Sequence, residues 1–272
     1  MEIKKFIGIF VASACISVAV YGSLTYAPEK KLEEEKVATT ATPIEWSYEG
    51  DTAPNKWASL DPSFSMCSKG TAQSPINIDL EDVMLDKNLG DIKINYQPTL
   101  FKLMNNGHTI QATDDSGKNS IEIDGDKYTF LRMHFHTPSE HQINGQHFAM
   151  EAHLVHENSK GEKAVIGILI NAGDENKLLT DIWSKLPSNI TETDIPLTNT
   201  INLAKLLPTD KKVYRYSGSL TTPPCSEGVK WSIMQQPIEM SKEQIDAFKA
   251  IISNNNRPVQ PLNNRKVLKM AE

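Results

Sequence analysis

Alternating apolar and polar residues predict β-strands over much of the stretch from residue 91 to residue 170. The alternation is clear in residues 92–96 and 121–123, and clusters of Asp, Ser and Gly separate such segments as turns do. Residues 164–170 (AVIGILI) form a continuous apolar run of the length of one strand, which predicts a central strand that is buried on both faces. This part of the chain is therefore expected to form a sheet.

Helical periodicity is limited to two short segments. One covers residues 178–186, and the other covers residues 241–253, where Ser241 and Gln244 have the spacing of a capping box. Many strands and few helices predict a mostly β protein with short peripheral helices.

The first 45 residues differ from the rest of the chain. Lysines precede an apolar segment at residues 6–22, and this pattern predicts a secretory signal peptide at residues 1–27. An uncleaved membrane anchor is the alternative, because the segment is close to the minimum length that spans a bilayer. Cys15 also stands in a context that faintly resembles a lipoprotein acceptor site. Residues 28–45 are charged and then rich in Thr and Ala, which predicts a flexible linker before a folded domain at residues 46–272.

Composition and charge narrow the range of functions. The chain is 39% hydrophobic and 23% charged, as is typical of soluble globular proteins. Its formal net charge is −6 and it lacks a basic cluster, so we expect neither a nucleic-acid partner nor a membrane partner beyond an N-terminal anchor. Export to an oxidising compartment predicts a disulfide between Cys67 and Cys225, with two buried thiols as the alternative. These features suit an exported protein, periplasmic or secreted, that acts on a small molecule.

The histidines are clustered: all seven lie within residues 108–156. His134 and His136 are two residues apart in a strand-like segment, so their side chains share one face. His153 lies in a second strand-like segment and shares a face with Glu151. If the two strands are neighbours, three imidazoles converge as in a catalytic zinc site with one open position, and Glu151 can accept a ring N–H from a ligand. The alternative is a solvated strand with unrelated histidines.

Other histidines and motifs point to no competing chemistry. His141, His147 and His156 are expected at the surface or in hydrogen-bonded core positions. The sequence contains no HExxH motif, no paired CxxC motifs, no GxSxG motif and no phosphate-binding glycine loop. This argues against a zincin-type protease, a zinc ribbon, an α/β-hydrolase and a nucleotide-binding protein.

Six segments, taken in order, carry a family resemblance. They are QSPINI (73–78), NNGH (105–108), HFHTPSEH (134–141), EAHLVH (151–156), YSGSLTTPPC (216–225) and NRPVQPL (256–262). Together they resemble the α-class carbonic anhydrases, and the exported bacterial members most of all, over residues 46 to 267. The resemblance implies a single domain around a large, central, mainly antiparallel sheet of about ten strands. It also implies zinc at the base of a conical cleft, and cis peptide bonds at Ser74–Pro75 and Pro223–Pro224.

The resemblance further implies an activity, the reversible hydration of carbon dioxide to bicarbonate and a proton, and a set of residue roles. The zinc ligands would be His134, His136 and His153. Thr221 would donate a hydrogen bond from its hydroxyl group to Glu140 and would orient the water that zinc activates. His108 would carry the product proton to buffer. The carbon dioxide site would consist of Val155, Val165, Leu220, Thr222, Val229 and Trp231.

One residue departs from the family pattern. The family usually has a glutamine two residues before the first zinc ligand, where its carbonyl accepts an imidazole N–H. Arg132 stands there instead, and a guanidinium can only donate. Either another acceptor serves His134 or its ring is held less firmly.

Two functions from other classes remain open at this point. The chain could be a catalytically inactive binding module, against which stand the retained histidines, Thr221 and Glu140. It could instead be a zinc-storage protein, against which stand ligands on strands beside an apolar wall. A homodimer is expected only by analogy with bacterial relatives.

Overall fold

The apolar run in the middle of the chain forms a central strand, as its sequence predicts. In the computed structural model, which describes residues 44–271, this strand is β11 (Lys163–Ala172), and its residues 164–170 are buried. The antiparallel strand β10 (Met150–Glu157) pairs with one edge of β11, and the parallel strand β14 (Glu227–Met234) pairs with the other. Apolar clusters cover both faces of this strand, which explains why no polar residue interrupts the run.

Ten strands form a continuous path across the central sheet. Their spatial order is β12 (Ile195–Ile201), β4 (Thr99–Asn105), β5 (Ile110–Thr113), β7 (Asp126–His136), β10, β11, β14, β13 (Val213–Ser219), β16 (Leu268–Met270) and β2 (Met84–Asp86). Neighbours along this path are antiparallel except at the β11–β14 and β16–β2 pairs. The prediction of a mostly β domain around a mainly antiparallel ten-stranded sheet is therefore confirmed.

Short strands extend the sheet at its margins. β3 (Lys93–Asn95) pairs with β6 (Ser120–Ile123), β6 pairs with β7, and β15 (Ile238–Met240) pairs with β11. The alternation at residues 92–96 thus forms only three residues of strand. A separate small sheet consists of β1 (Asn77–Ile78), β8 (Gln142–Ile143) and β9 (Gln146–His147).

The helices of the described residues are short. They are α1 (Trp57–Leu60), α2 (Met66–Lys69), α3 (Thr180–Trp183) and α4 (Lys242–Lys249), with 3-10 turns at Gly50–Thr52, Pro62–Phe64 and Leu203–Lys205. The predicted capping box at the start of α4 is present, since Ser241 and Gln244 bond each other's backbone N–H. The segment at residues 178–186 forms less helix than its pattern predicts. On either side of α3, backbone hydrogen bonds join residues three apart, as in a 3-10 turn.

Two apolar clusters pack against the two faces of the sheet. The face of β7 that points away from the histidines carries Phe135, whose ring contacts those of Trp183 and Phe248. The other cluster includes Val165 and Trp231 on the histidine side. Because each face has its own core, the strands between them are rigid supports for a site.

The described residues include both cysteines expected in a disulfide and both prolines expected after cis peptide bonds. Cys67 and Cys225 form a disulfide, as expected. The peptide bonds before Pro75 and Pro224 are cis as expected, and so is the bond before Pro138, which was not anticipated. The proposed leader at residues 1–27 and nearly all of the linker at 28–45 lie outside the described residues. Within the described range, no helix is long and apolar enough to cross a membrane.

Reduction of the disulfide should lower the midpoint of urea-induced unfolding of the protein from residue 28 onward. The two cysteines are 158 residues apart, and closing so long a loop stabilises by about 5 kcal/mol at most in the chain-entropy model. Thiol titration of the unfolded, unreduced protein should detect no free thiol. Detection of two thiols would contradict the pairing.

Candidate active site

Strand pairing brings the three predicted histidines together. β7 carries His134 and His136 on one face, and β10 carries His153 directly opposite His134 in an antiparallel register. The ring centroids are 5.0 Å apart for His134 and His136, 5.2 Å for His134 and His153, and 4.6 Å for His136 and His153. One ring nitrogen from each histidine lies within 4.8 Å of the other two. Three nitrogen donors at this spacing can hold one metal ion.

Two of the three rings are held by hydrogen bonds from their other nitrogen. His136 Nδ1 donates to the backbone carbonyl of Asn255 over 2.6 Å, and His153 Nε2 donates to Glu151 Oε1 over 2.8 Å. The second nitrogen of each ring, Nε2 of His136 and Nδ1 of His153, therefore faces the other imidazoles of the cluster. Nε2 of His136 is buried and has no hydrogen-bond partner among the described residues.

Glu151 is the centre of a buried hydrogen-bond network. Its Oε1 also accepts from His141 Nδ1 over 2.7 Å, and its Oε2 accepts the backbone N–H groups of Glu140 and His141. Burial opposes the charge of Glu151, but His141 and His153 outweigh it and hold the carboxyl pKa well below its usual value. His141 Nε2 lies 2.6 Å from the Tyr216 hydroxyl. His141, Glu151 and His153 are thus bonded to one another and do not form a second metal site.

His134 has no hydrogen-bond acceptor at the position where the family has glutamine and this chain has Arg132. Its Nδ1 is buried and has no hydrogen-bond partner in the described part of the chain, so no other residue serves it. Burial lowers the pKa of His134 well below its usual value, and positive charge on His136, His153 and Arg132 lowers it further. The described residues thus provide no acceptor in place of the glutamine, and a less firmly held ring stays the expectation for His134.

The expected hydrogen bond from Thr221 to Glu140 is not formed in this structure. Glu140 is buried, and its Oε1 accepts the backbone N–H of Arg257 over 2.8 Å. Its Oε2 faces His136 Nε2 at 3.4 Å and has no hydrogen-bond partner in the described chain. The carboxyl group is turned toward the imidazoles, and the hydrogen bond with Thr221 stays a prediction. Thr221 lines the same cavity as the histidines.

A cavity of about 150 Å³ opens above the three histidines. Most residues expected at the carbon dioxide site line it, namely Val155, Val165, Leu220, Thr222 and Trp231. Val229 does not line it. Val229 is buried in the core cluster that also contains Val165 and Trp231, and its part in the carbon dioxide site stays a prediction.

His108 lies at the cavity wall beneath an aromatic ring that the sequence did not predict. Trp46 stacks on His108 with 3.6 Å between ring centroids and 7° between ring planes, and both residues line the cavity together with Tyr48. Partial burial lowers the pKa of His108 from its usual value. No local pattern could have identified Trp46 and Tyr48, because they come from the irregular segment that precedes the first helix.

The remaining histidines are where the sequence predicts them. His156 is buried and its Nε2 lies 2.7 Å from the Tyr96 hydroxyl, and burial lowers its pKa to about 3. His147 is exposed and bonds the backbone carbonyl of Ser139.

Comparison with known proteins decides the family. The model of the eukaryotic-type carbonic anhydrase family matches residues 52–271. The chain belongs to this family. It is 43% identical to a carbonic anhydrase of Klebsiella pneumoniae over 225 residues, which cover 82% of this chain and 90% of the relative. It is 42% identical to a carbonic anhydrase of Neisseria gonorrhoeae over 224 residues, which cover 82% of this chain and 87% of the relative.

A solved structure gives the same result. The α-carbonic anhydrase of Thermovibrio ammonificans, in complex with the inhibitor sulfanilamide, superposes with a TM-score of 0.81 at 41% identity. The match covers 84% of this chain and all of that one. The chain therefore has the α-carbonic anhydrase fold and carbonic anhydrase activity, with carbon dioxide and bicarbonate as substrates. Of the functions left open by the sequence, the enzyme is the one that holds.

Replacement of Trp46 by alanine should raise the pKa of His108 toward 6.5, since it removes the ring that excludes water from one face of the imidazole. Titration of the histidine ring protons by NMR would measure this. The exposed His147 gives an internal reference signal in the same spectra. A His108 pKa that stays constant or falls would contradict the role assigned to Trp46.

Proposed function

We propose that His134, His136 and His153 bind one zinc ion and that the enzyme hydrates carbon dioxide at this ion. The observation that carries the proposal is the convergence of three imidazole nitrogens within 4.8 Å on two paired strands. Three imidazoles with an open fourth position are the donor set of a catalytic zinc site. Zinc in such a site acts as a Lewis acid that activates water at neutral pH, a property for which carbonic anhydrases are the reference example.

The bonding of the histidines, and the protonation of His134 and His136, fit a metal ion. Burial lowers the pKa of both His134 and His136, which keeps these rings neutral and able to coordinate at neutral pH. The buried Nε2 of His136, which has no hydrogen-bond partner in the described chain, is the kind of donor that a cation satisfies. Acceptors at Asn255 and Glu151 leave the correct nitrogen of two rings free.

The apolar part of the cavity suits carbon dioxide. This substrate has no charge, so it is held by contact with apolar surface beside the reacting water. Val155, Val165, Leu220 and Trp231 form this surface, and Thr222 adds a hydroxyl for the bicarbonate product. Val229 supports the wall from the core.

We assign the orientation of the reacting water to Thr221 and Glu140. An ionised carboxylate only accepts hydrogen bonds, so a Thr221 hydroxyl that donates to Glu140 must accept from the water. Support comes from Glu140 Oε2, a buried acceptor with no hydrogen-bond partner in the described chain. A turn of this carboxyl group or of the Thr221 side chain is needed to form the contact.

We assign proton transfer to His108. It lines the cavity without being one of the three clustered histidines, and it is only partly buried, so it can reach both the cavity and bulk buffer. Its pKa, lowered from the usual value by burial, favours rapid release of a proton at neutral pH.

We infer that the enzyme is exported to the periplasm or secreted. The signal-like segment at residues 1–27 and the Cys67–Cys225 disulfide support this location. A homodimer stays a prediction by analogy.

Replacement of His153 by alanine should abolish stoichiometric zinc binding and carbon dioxide hydration, because two imidazoles do not complete a tetrahedral site. Metal analysis of the purified protein and stopped-flow hydration assays measure both. His147→Ala removes an exposed histidine and is the matched control, which should keep zinc and activity. A His153→Ala enzyme with full zinc content and full rate would overturn the assignment.

Replacement of His108 by alanine should lower turnover in a bulky, poorly permeating buffer by roughly 10- to 100-fold, as for loss of a proton-transfer group. Zinc content should be unchanged, and added imidazole should restore much of the rate because it carries the proton instead. Full turnover without imidazole would show that another group carries the proton.

A further inference from the structure

A second cavity lies on the face of the sheet opposite the active site. In β13 and β14, Tyr216 and Trp231 pair and belong to the core cluster on the active-site side. Their neighbours Arg215 and Ser232 pair with each other and, because side chains alternate along a strand, point to the other face. There they line a cavity of about 370 Å³.

Two residues that line this cavity carry buried polar atoms that have no hydrogen-bond partner in the described chain. Arg215 is only 7% exposed, yet its Nε and Nη2 have no hydrogen-bond partner among residues 44–271. The hydroxyl of Ser232, 1% exposed, has none either in this range. Buried donors without acceptors are strongly unfavourable, and a guanidinium more so than a neutral group.

The two unpaired nitrogens of Arg215 form one edge of the guanidinium group. Their N–H bonds run parallel, and this is the geometry that binds both oxygens of a carboxylate at once. The third nitrogen, Nη1, makes a 3.4 Å contact with Asp124 Oδ1. Asp91 also acts on the charge of Arg215. Since Nε and Nη2 are themselves buried, the side chain has to turn before this edge faces the cavity.

The charge and shape of the cavity agree with such a ligand. Lys230 and Lys266 line it beside Arg215, whereas the protein as a whole has a net charge of −6. The rest of the wall includes Leu89, Ile123 and Leu268. A lining that combines cations with hydrocarbon matches a carboxylate that carries an apolar group.

We propose that this cavity is a binding site for small amphipathic carboxylates, in which Arg215 binds the carboxylate through Nε and Nη2 and Ser232 donates its hydroxyl. Trp231 lines both cavities, but none of the three clustered histidines lines this one.

The carboxylate of Asp124 competes with a bound carboxylate for Arg215. It lies in the β6–β7 turn, half its side chain is exposed, and its carboxylate contacts both Arg215 and, at 3.3 Å, Lys230. Its φ of 55° is a conformation that asparagine also adopts readily. Asp124→Asn therefore removes the competing charge without straining the turn.

Titration of the full chain with hexanoate, followed by amide NMR shifts in β13 and β14, tests the proposal. Arg215→Gln should weaken binding at these strands about tenfold or more, since charged hydrogen bonds are lost. Arg215→Lys should weaken it nearly as much, because lysine keeps the charge but not the paired donors. Asp124→Asn should strengthen it by about two- to fivefold, the range of an exposed ion pair. Each variant should keep carbon dioxide hydration, which reports on the folded protein and the other site.

Hexanol and acetate are the matched ligands, one without the carboxylate and the other without the hydrocarbon, and both should bind more weakly than hexanoate. The proposal is overturned if hexanoate shifts no amide in these strands up to about 10 mM, a very weak affinity. It is also overturned if Arg215→Gln binds as the unmodified protein does, or if hexanol or acetate binds as well as hexanoate. If Arg215→Gln fails to fold, Asp124→Asn decides, and unchanged or weaker binding in that variant refutes the site.

Discussion

The register between β7 and β10 is the constraint on which the active site depends. His153 pairs directly with His134, and on the other face of the same strands Leu154 pairs with Met133. Met133 and Leu154 are completely buried in the core of the far face. Since side chains alternate along each strand, a slip of one residue would put leucine among the imidazoles and histidine into the apolar core. Burial on one face therefore determines the spacing of metal-binding nitrogens on the other, and the site needs no separate source of rigidity.

Outside the sheet, a buried arginine joins the segments that complete the site. The guanidinium of Arg257 donates to the backbone carbonyls of Cys67 and Ser74 and to the side chain of Gln73. The backbone N–H of Arg257 bonds Glu140, which lies beside the histidines. A charged group without solvent contact is stable only when its donors are satisfied, and carbonyl groups from distant loops meet this need. The loops are thus held in place by a cation rather than by apolar packing alone.

Features that depend on residues close together in the sequence can be predicted from it, whereas contacts between distant segments cannot. The histidine face of β7, the buried run in β11 and the capping box of α4 follow from local spacing, and the structure has all three. Contacts between distant loops have no such local pattern. The bond between His141 and Glu151 and the stacking of Trp46 on His108 arise only when irregular segments fold onto the sheet. The orientation of the Glu140 carboxyl group likewise depends on Arg257, which lies more than one hundred residues further along the chain. Knowledge of the family supplied the roles of Thr221 and His108, but it did not predict these contacts.

The position of Trp46 has a consequence for where this enzyme begins as a functional unit. The family model starts at residue 52, yet Trp46 and Tyr48 line the active-site cavity ahead of that point. A recombinant protein trimmed to the family boundary would keep every strand of the central sheet and all three clustered histidines. It would lose one wall of the cavity and the ring that covers His108. Folding and metal content would then be incomplete guides to the quality of such a protein, since the missing residues contribute to the environment of the imidazole as well as to the small core around Trp57. The catalytic domain therefore begins ahead of residue 52, where the match to the family starts.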